Sequence, residues 1–503
     1  MTELVQNEAE AITPYSMHVS LRYLELTKKK LELTRLPREL ELPGHRTWEH
    51  GTPKAVLEPL LDFWLEGYDW RAAETQFNTS LPQFRTSVTI LSATDKSATH
   101  SLRIHFVHKR SKHTNAIPLL VCHSWPSSFI EVQRIIDALT DPQSQPGCGE
   151  GAQQAFHVIA PSIPGFGFSD ASSSLDFGLK ETASMFDGLM KRLGYEYYVA
   201  HGVGWGFSIC RALAQQHPRH CHAVHTANPS FAEPTAKRNT MAFLKYKIAK
   251  LTKGKLPLLS FGYLPAELQS CRTIEDLSTP RNPFHSKQPL GTALHQLYSL
   301  RPQTLSFSLC DSPVGLLAAL LDVIHTRAPS SSPLTSRSRS PFLSLTELEV
   351  QNQALPGHSG NHSSFAERPY GTTARDDGAE ARSYTWTPTE ILNWTMMQWL
   401  PGPESSLRWL RQAHLDTTVP DWDDCCPVPL AISSFQTQSS LPSTPLMWGS
   451  TSWQIEWVKR HQRCATLPAW EAADLLVLDL RECFGTFMSH GKLANLPVTA
   501  STA

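Results

Sequence analysis

Three apolar runs of strand length, each followed by a stretch of helical periodicity, constrain this chain more than any other feature. They are "AIPLLVCH" (116–123), "AFHVIAPSIPGFGFSD" (155–170) and "EYYVAHG" (196–202). A strand that is apolar without alternation is buried on both faces, the pattern of a parallel sheet covered by helices on each side. The helical segments "SFIEVQRIIDALT", "LKETASMFDGLMKRLG" and "GFSICRALAQQH" fall after these runs, and the alternating "LRIHFVHKR" precedes them. After a long interruption the pattern returns with "CPVPLAISSF", "WQIEWVKRH" and a final helix in "PAWEAADLLVLDLRECFG". The expected fold class is therefore α/β, with a mostly parallel sheet, helices on both faces and a helical insertion.

Within this frame "YYVAHGVGWGFSIC" reads as strand, sharp turn and helix. A catalytic turn of that layout carries its nucleophile at the tip. Here the tip is Gly202-Val203-Gly204-Trp205-Gly206, with no carboxylate, hydroxyl or thiol. The pedestal for a nucleophile is present and its side chain is not.

The rest of the chain bounds the function classes. It has 503 residues, a net charge of -1, 41% hydrophobic and 18% charged residues. Near-neutral charge gives no electrostatic reason to bind nucleic acid or an anionic membrane. No run of about 18 apolar residues predicts a transmembrane segment, and the first residues lack the pattern of a signal peptide, so a cytoplasmic protein is expected. The ten cysteines contain no C-x-x-C spacing, which points to free thiols rather than a disulfide framework. Residues 16–98 read as an N-terminal region of helices and turns, 99–228 and 426–490 as two parts of one core, and 229–425 as a cap insertion. Within the cap, the Ser-, Arg-, Gly- and Pro-rich tract 327–383 is expected to be disordered. The four histidines His217, His220, His222 and His225 fit no standard metal-ligand spacing on one element, and no metal is expected.

The motifs, in their order, resemble the microsomal-type epoxide hydrolase family, especially its fungal members. "FWLEGYDWRAAETQFNTSLPQFRT" with "IHFVH" is similar to that family's N-terminal domain. "CHSWPSSFIEVQRIIDAL" resembles its His-Gly-Trp-Pro segment with Ser124 in place of Gly, and "FHVIAPSIPGFGFSD" its Pro-Gly-aromatic loop. "RPQTLSFSLCDSPVGLLAALLD" resembles a cap segment, and "WQIEWVKRHQRCATLPAWEAADLLVLDLRECFG" the last strand, catalytic loop and final helix. The resemblance implies an α/β-hydrolase fold and no cofactor. It implies conversion of a hydrophobic epoxide and water into a diol: an Asp forms an ester with the epoxide carbon, and a His held by a carboxylate activates water. Backbone N–H groups near Trp125 and Trp205 would stabilise the oxyanion, and two cap tyrosines would hold the epoxide oxygen.

Carried over position by position, the nucleophile is Gly204, the acid Gln438 and the histidine Thr466. The cap tyrosines fall at Leu294, with Tyr298 one helical turn away, and at Leu410. None of the side chains at 204, 438, 466, 294 and 410 can perform the family's step, while Tyr298 keeps the tyrosine hydroxyl near the first cap position. The residues that could replace them are His123, Asp170, His201, Ser208 and His461; His123 and Asp170 are the first candidates, although no nucleophile–base pair is visible. Three readings follow: an epoxide-hydrolase-like enzyme using residual chemistry, a non-covalent epoxide-opening cyclase or isomerase, and a ligand-binding pseudoenzyme. A homo-oligomer is compatible with each. The tract 327–383 also has the look of translated intron, which would make the reading frame a decayed one.

Overall fold

The computed structural model describes residues 11–92, 97–144, 154–237, 239–265, 267–268, 300–327, 384–436, 444–491 and 493. Nine strands form one sheet: β1 Thr13–Tyr15, β2 Gln83–Leu91, β3 Thr99–Lys109, β4 Ile117–Cys122, β5 Phe156–Pro161, β6 Tyr198–Gly202, β7 Cys221–Ala227, β8 Pro429–Gln436 and β9 Gln454–Cys464. Their spatial order is β1-β2-β3-β5-β4-β6-β7-β8-β9. The first four in that order pair antiparallel, and from β5 to β9 every pairing is parallel. The parallel centre matches its sequence: β5 and β6 are buried along their whole length. The edge strand β9 alternates half-buried and exposed positions, as a strand with one free face must.

The helices, in chain order, are α1 Leu21–Glu32, α2 Lys54–Glu66, α3 Trp70–Ser80, α4 Ile136–Thr140, α5 Leu179–Arg192, α6 Trp205–Gln216, α7 Thr240–Leu251, α8 Pro302–Leu309, α9 Pro313–Arg327, α10 Pro388–Trp399, α11 Pro403–Asp416, α12 Pro468–Glu471 and α13 Ala473–Ser489. Leu60 and Trp64 of α2 are buried, as their spacing predicts, and α3 starts at an N-cap Asp69 whose carboxylate accepts from Arg71 and Ala72 N–H. Helices α5 and α6 pack on one side of the sheet. The Glu181 side chain returns to the Gly178 N–H at the start of α5, and Asp416 from α11 accepts the Leu179 N–H at 2.6 Å. The cap is thereby tied to the core.

The N-terminal region differs from its sequence reading. Residues 83–91 form a full strand paired residue by residue with β3, and 13–15 add an edge strand beyond it. The segment "SFIEVQRIIDALT" is mostly 3-10 turn, with a five-residue α4. Apart from Arg327, which ends α9, the tract 327–383 lies outside the described residues. No described helix alone is long and apolar enough to cross a membrane, although α8 and the first part of α9 pass that test together as a pair bent by 117°. The eight described cysteines are free thiols.

Candidate functional site

The site is built where β6 turns into α6. Gly204 is the N-cap of α6 at φ 55°, ψ −120°, a left-handed conformation that a side chain adopts only under strain. Two residues on, Gly206 lies against β4 so closely that a Cβ there would sit 2.0 Å from the Cys122 carbonyl oxygen. The elbow keeps the geometry of a nucleophile-bearing turn.

The space above Gly204 is filled from another loop. A Cβ on Gly204 would lie 2.8 Å from Ser124 Oγ. That hydroxyl also accepts the Trp205 backbone N–H at 3.1 Å. Ser124 is buried, and its own proton points toward the Trp125 carbonyl at 3.4 Å. One hydroxyl thus crowds the space a side chain on Gly204 would enter and satisfies the Trp205 N–H, a group that the resemblance implies for an oxyanion. The neighbouring Trp125 is buried, with a cis bond to Pro126.

The other expected site residues are scattered or already bonded. His123 Nδ1 donates to the Ser124 carbonyl at 3.0 Å, and Nε2 accepts the Ile163 N–H at 3.1 Å. Burial lowers its pKa to about 4. Both ring nitrogens are engaged in fixing the loop, so His123 has none left for a water. Asp170 binds Arg103 at 3.0 and 3.2 Å and Arg85 at 3.3 Å, on β3 and β2, several strands from the elbow. Neither candidate substitute is placed to act as a base at Gly204. Thr466 lies on the loop after β9, and its N–H donates to Glu471 at 2.6 Å. Leu410 is buried in α11, whose neighbouring Trp409 meets Trp205 edge to face at 6.1 Å and Phe166 at 5.5 Å. Leu294 and Gln438 lie outside the described residues.

Three features escaped the sequence. Asn228, at φ 45°, clamps the strand ends: it accepts the Phe435 N–H at 2.7 Å and donates to the Ala465 carbonyl at 2.8 Å. It therefore joins the end of β8 to the loop after β9 on which Thr466 lies. Glu131 is fully buried beneath the Ser124 loop, bonded to the Ser127 hydroxyl and the Ser124 backbone. Burial pushes its pKa up to about 7. A third feature is a polar chain inside the sheet. His201 Nδ1 meets His225 Nδ1 at 3.0 Å, His225 Nε2 meets Ser433 Oγ at 3.0 Å, Ser433 donates to Asp479 Oδ2 at 2.5 Å, and His461 meets the same oxygen at 2.6 Å. Burial lowers the pKa of His201 to about 4 and holds that of His225 well below the usual histidine range. This chain accounts for His201 and His461 as interior hydrogen-bond partners. Ser208, on α6, lines a cavity of about 390 Å³ with Phe207, Arg211, Phe231, Trp422 and Trp453. Gly204 and Ser124 are not in its wall.

The comparisons bear on the fold and the family. Residues 12–132 match the family model "Epoxide hydrolase N terminus", and residues 117–273 match "alpha/beta hydrolase fold". The chain is 31% identical to Epoxide hydrolase 1 of Sus scrofa over 63% of each protein. It is 28% identical to Juvenile hormone epoxide hydrolase 1 of Ctenocephalides felis, over 64% of this chain and 61% of that protein. The match thus spans less than two thirds of either relative. The solved epoxide hydrolase of Aspergillus niger has the same fold, with a TM-score of 0.65, 20% identity and coverage of 96% of this chain and 97% of that one.

Proposed function

Because the chain belongs to the epoxide hydrolase family of the α/β-hydrolase fold, we propose that it is an epoxide-hydrolase-like protein whose ligand is a hydrophobic small-molecule epoxide, handled without a covalent ester. One observation carries this reading: Ser124 Oγ fills the space above Gly204 and is bonded to the Trp205 N–H. The family reaction needs a carboxylate in that space and a free N–H beside it. A glycine cannot form the ester, and a threonine at 466 has no basic group near neutral pH with which to cleave one. Triad members act as a unit, so their joint replacement leaves binding and orientation as the surviving capacities. Apolar and aromatic groups around the elbow (Trp205, Trp409, Phe166) suit a terpenoid- or polyketide-like epoxide.

The test is incubation of the purified chain with long-chain and terpenoid epoxides. Intact-mass spectrometry reads any ester, and chromatography reads diol and isomer. The expected result is saturable binding with no ester adduct. An adduct on the chain, or diol formation with burst kinetics, would overturn the reading.

A further inference from the structure

Two of the four clustered histidines converge with a carboxylate that the sequence places thirty residues away. Asp187, on α5, is buried and 2% exposed. His217 follows α6 and His220 precedes β7. His220 Nδ1 lies 2.9 Å from Asp187 Oδ1, and His217 Nδ1 lies 3.5 Å from Asp187 Oδ2. The three ligand atoms fall within 4.8 Å of one another, and the rings lie nearly parallel at 16°. The remaining pair separates: His222 bonds to the Arg219 carbonyl, and His225 belongs to the interior polar chain.

From this arrangement we propose that Asp187, His217 and His220 form a binding site for a divalent transition metal of the zinc type, remote from the elbow, which pins α5 to the α6–β7 connection. Two imidazoles and one carboxylate suit such an ion, whereas magnesium and calcium prefer all-oxygen sites. Tetrahedral ligands about 2.1 Å from zinc stand ~3.4 Å apart. The two nitrogen–carboxylate separations, 2.9 and 3.5 Å, lie near that value, and the three ligand atoms must draw in from within 4.8 Å of one another to close on an ion. The outer contacts are also in place. The Tyr198 hydroxyl donates to Asp187 Oδ1 at 3.0 Å, and Ser184 Oγ meets His217 Nε2 at 3.4 Å, which leaves Nδ1 directed at the carboxylate. Outer-sphere bonds of this kind fix ligand orientation. Both histidines are partly exposed, at 22% and 28% of their side chains, so water can complete the coordination.

One group competes. Lys191 Nζ lies 2.9 Å from Asp187 Oδ2 and neutralises the carboxylate. Its side chain is half exposed and is free to move into solvent when a cation takes its place. Because the histidines precede β7 and the elbow follows β6, the site lies toward the opposite end of the sheet from Gly204, and its role is structural.

The test is zinc titration of the full chain, without a polyhistidine tag, after removal of metal with EDTA, followed by calorimetry and by metal analysis after dialysis. The expected result is one tightly held zinc per chain, bound at least tenfold more weakly by His217→Ala/His220→Ala. Circular dichroism in EDTA checks that this variant is folded. Lys191→Ala keeps the three ligands and removes the competitor, so it is expected to bind zinc as tightly as the parent or more so. The proposal fails if the parent takes up no zinc, if the folded double variant holds zinc with unchanged affinity, or if Lys191→Ala abolishes binding.

Discussion

At Gly204 a lost side chain and a gained one fit together. Ser124 stands where the family motif has glycine, and its hydroxyl lies where a carboxylate on residue 204 would begin. Restoring the nucleophile alone should therefore fail. Gly204→Asp meets both the left-handed backbone and the Ser124 hydroxyl, and a strained φ of this kind costs on the order of 1–3 kcal/mol. Urea denaturation should show a loss of that size, and Gly204→Asp/Ser124→Gly should recover part of it. Equal stability of the single and double variants would mean that the two residues do not compete for space. Glu131 gives a second prediction at this scale. Its folded pKa is raised by burial to about 7 from an ordinary value of 4.5. The folded state therefore keeps a proton that the unfolded state releases. Its contribution to stability is fully present below about 4.5, falls as pH rises, and is gone above about 7. Thermal melts of Glu131→Gln across that window should lose this component of the pH dependence. A melt profile parallel to that of the parent would contradict the assignment.

The elements show what the sequence discloses and what it withholds. The β4, β5 and β6 runs and the elbow turn were legible because burial on both faces leaves an unbroken apolar stretch, and because a tight turn against β4 admits only glycine at 206. The strand β2 was not legible as part of the sheet. It is half exposed, follows three helices directly, and takes its place only by pairing with β3. Leu410 could be placed in the cap from its motif, but nothing in the local sequence told that Trp409 beside it would meet Trp205. The substitutions at 204 and 466 could be read one letter at a time; the Ser124 contact could not, because it joins residues 80 positions apart. The same limit hid Asp187 from His217 and His220. Asn228 is the clearest case of an element-scale role. Its side chain joins the ends of β7, β8 and the loop after β9. Asn228→Ala leaves a buried donor and acceptor without partners, which costs roughly 1–3 kcal/mol for each group. Asn228→Asp keeps the acceptor for Phe435 N–H and loses the donor to Ala465, so it should fall between the two in chemical denaturation. A neutral Asn228→Ala would show that the strand ends are held by other contacts.

For the molecule as a whole, the proposed function separates the fold from the family's chemistry. The sheet and the elbow are those of the α/β-hydrolase fold, while on the proposed reading the positions that would form and cleave an ester hold Gly204 and Thr466, and Ser124 lies against the first of them. Burial of the apolar strands and of the elbow helix does not depend on the side chains at those positions, so the scaffold does not require the reaction in order to fold. The most direct measurement is intact-mass spectrometry of the full chain, quenched at successive times after mixing with a hydrophobic terpenoid epoxide in excess, alongside a binding titration with the same compound. Saturable binding with an unchanged protein mass at every time is the result this arrangement predicts. A transient increase in mass equal to that of the epoxide would mean that another side chain forms the ester, and would contradict it.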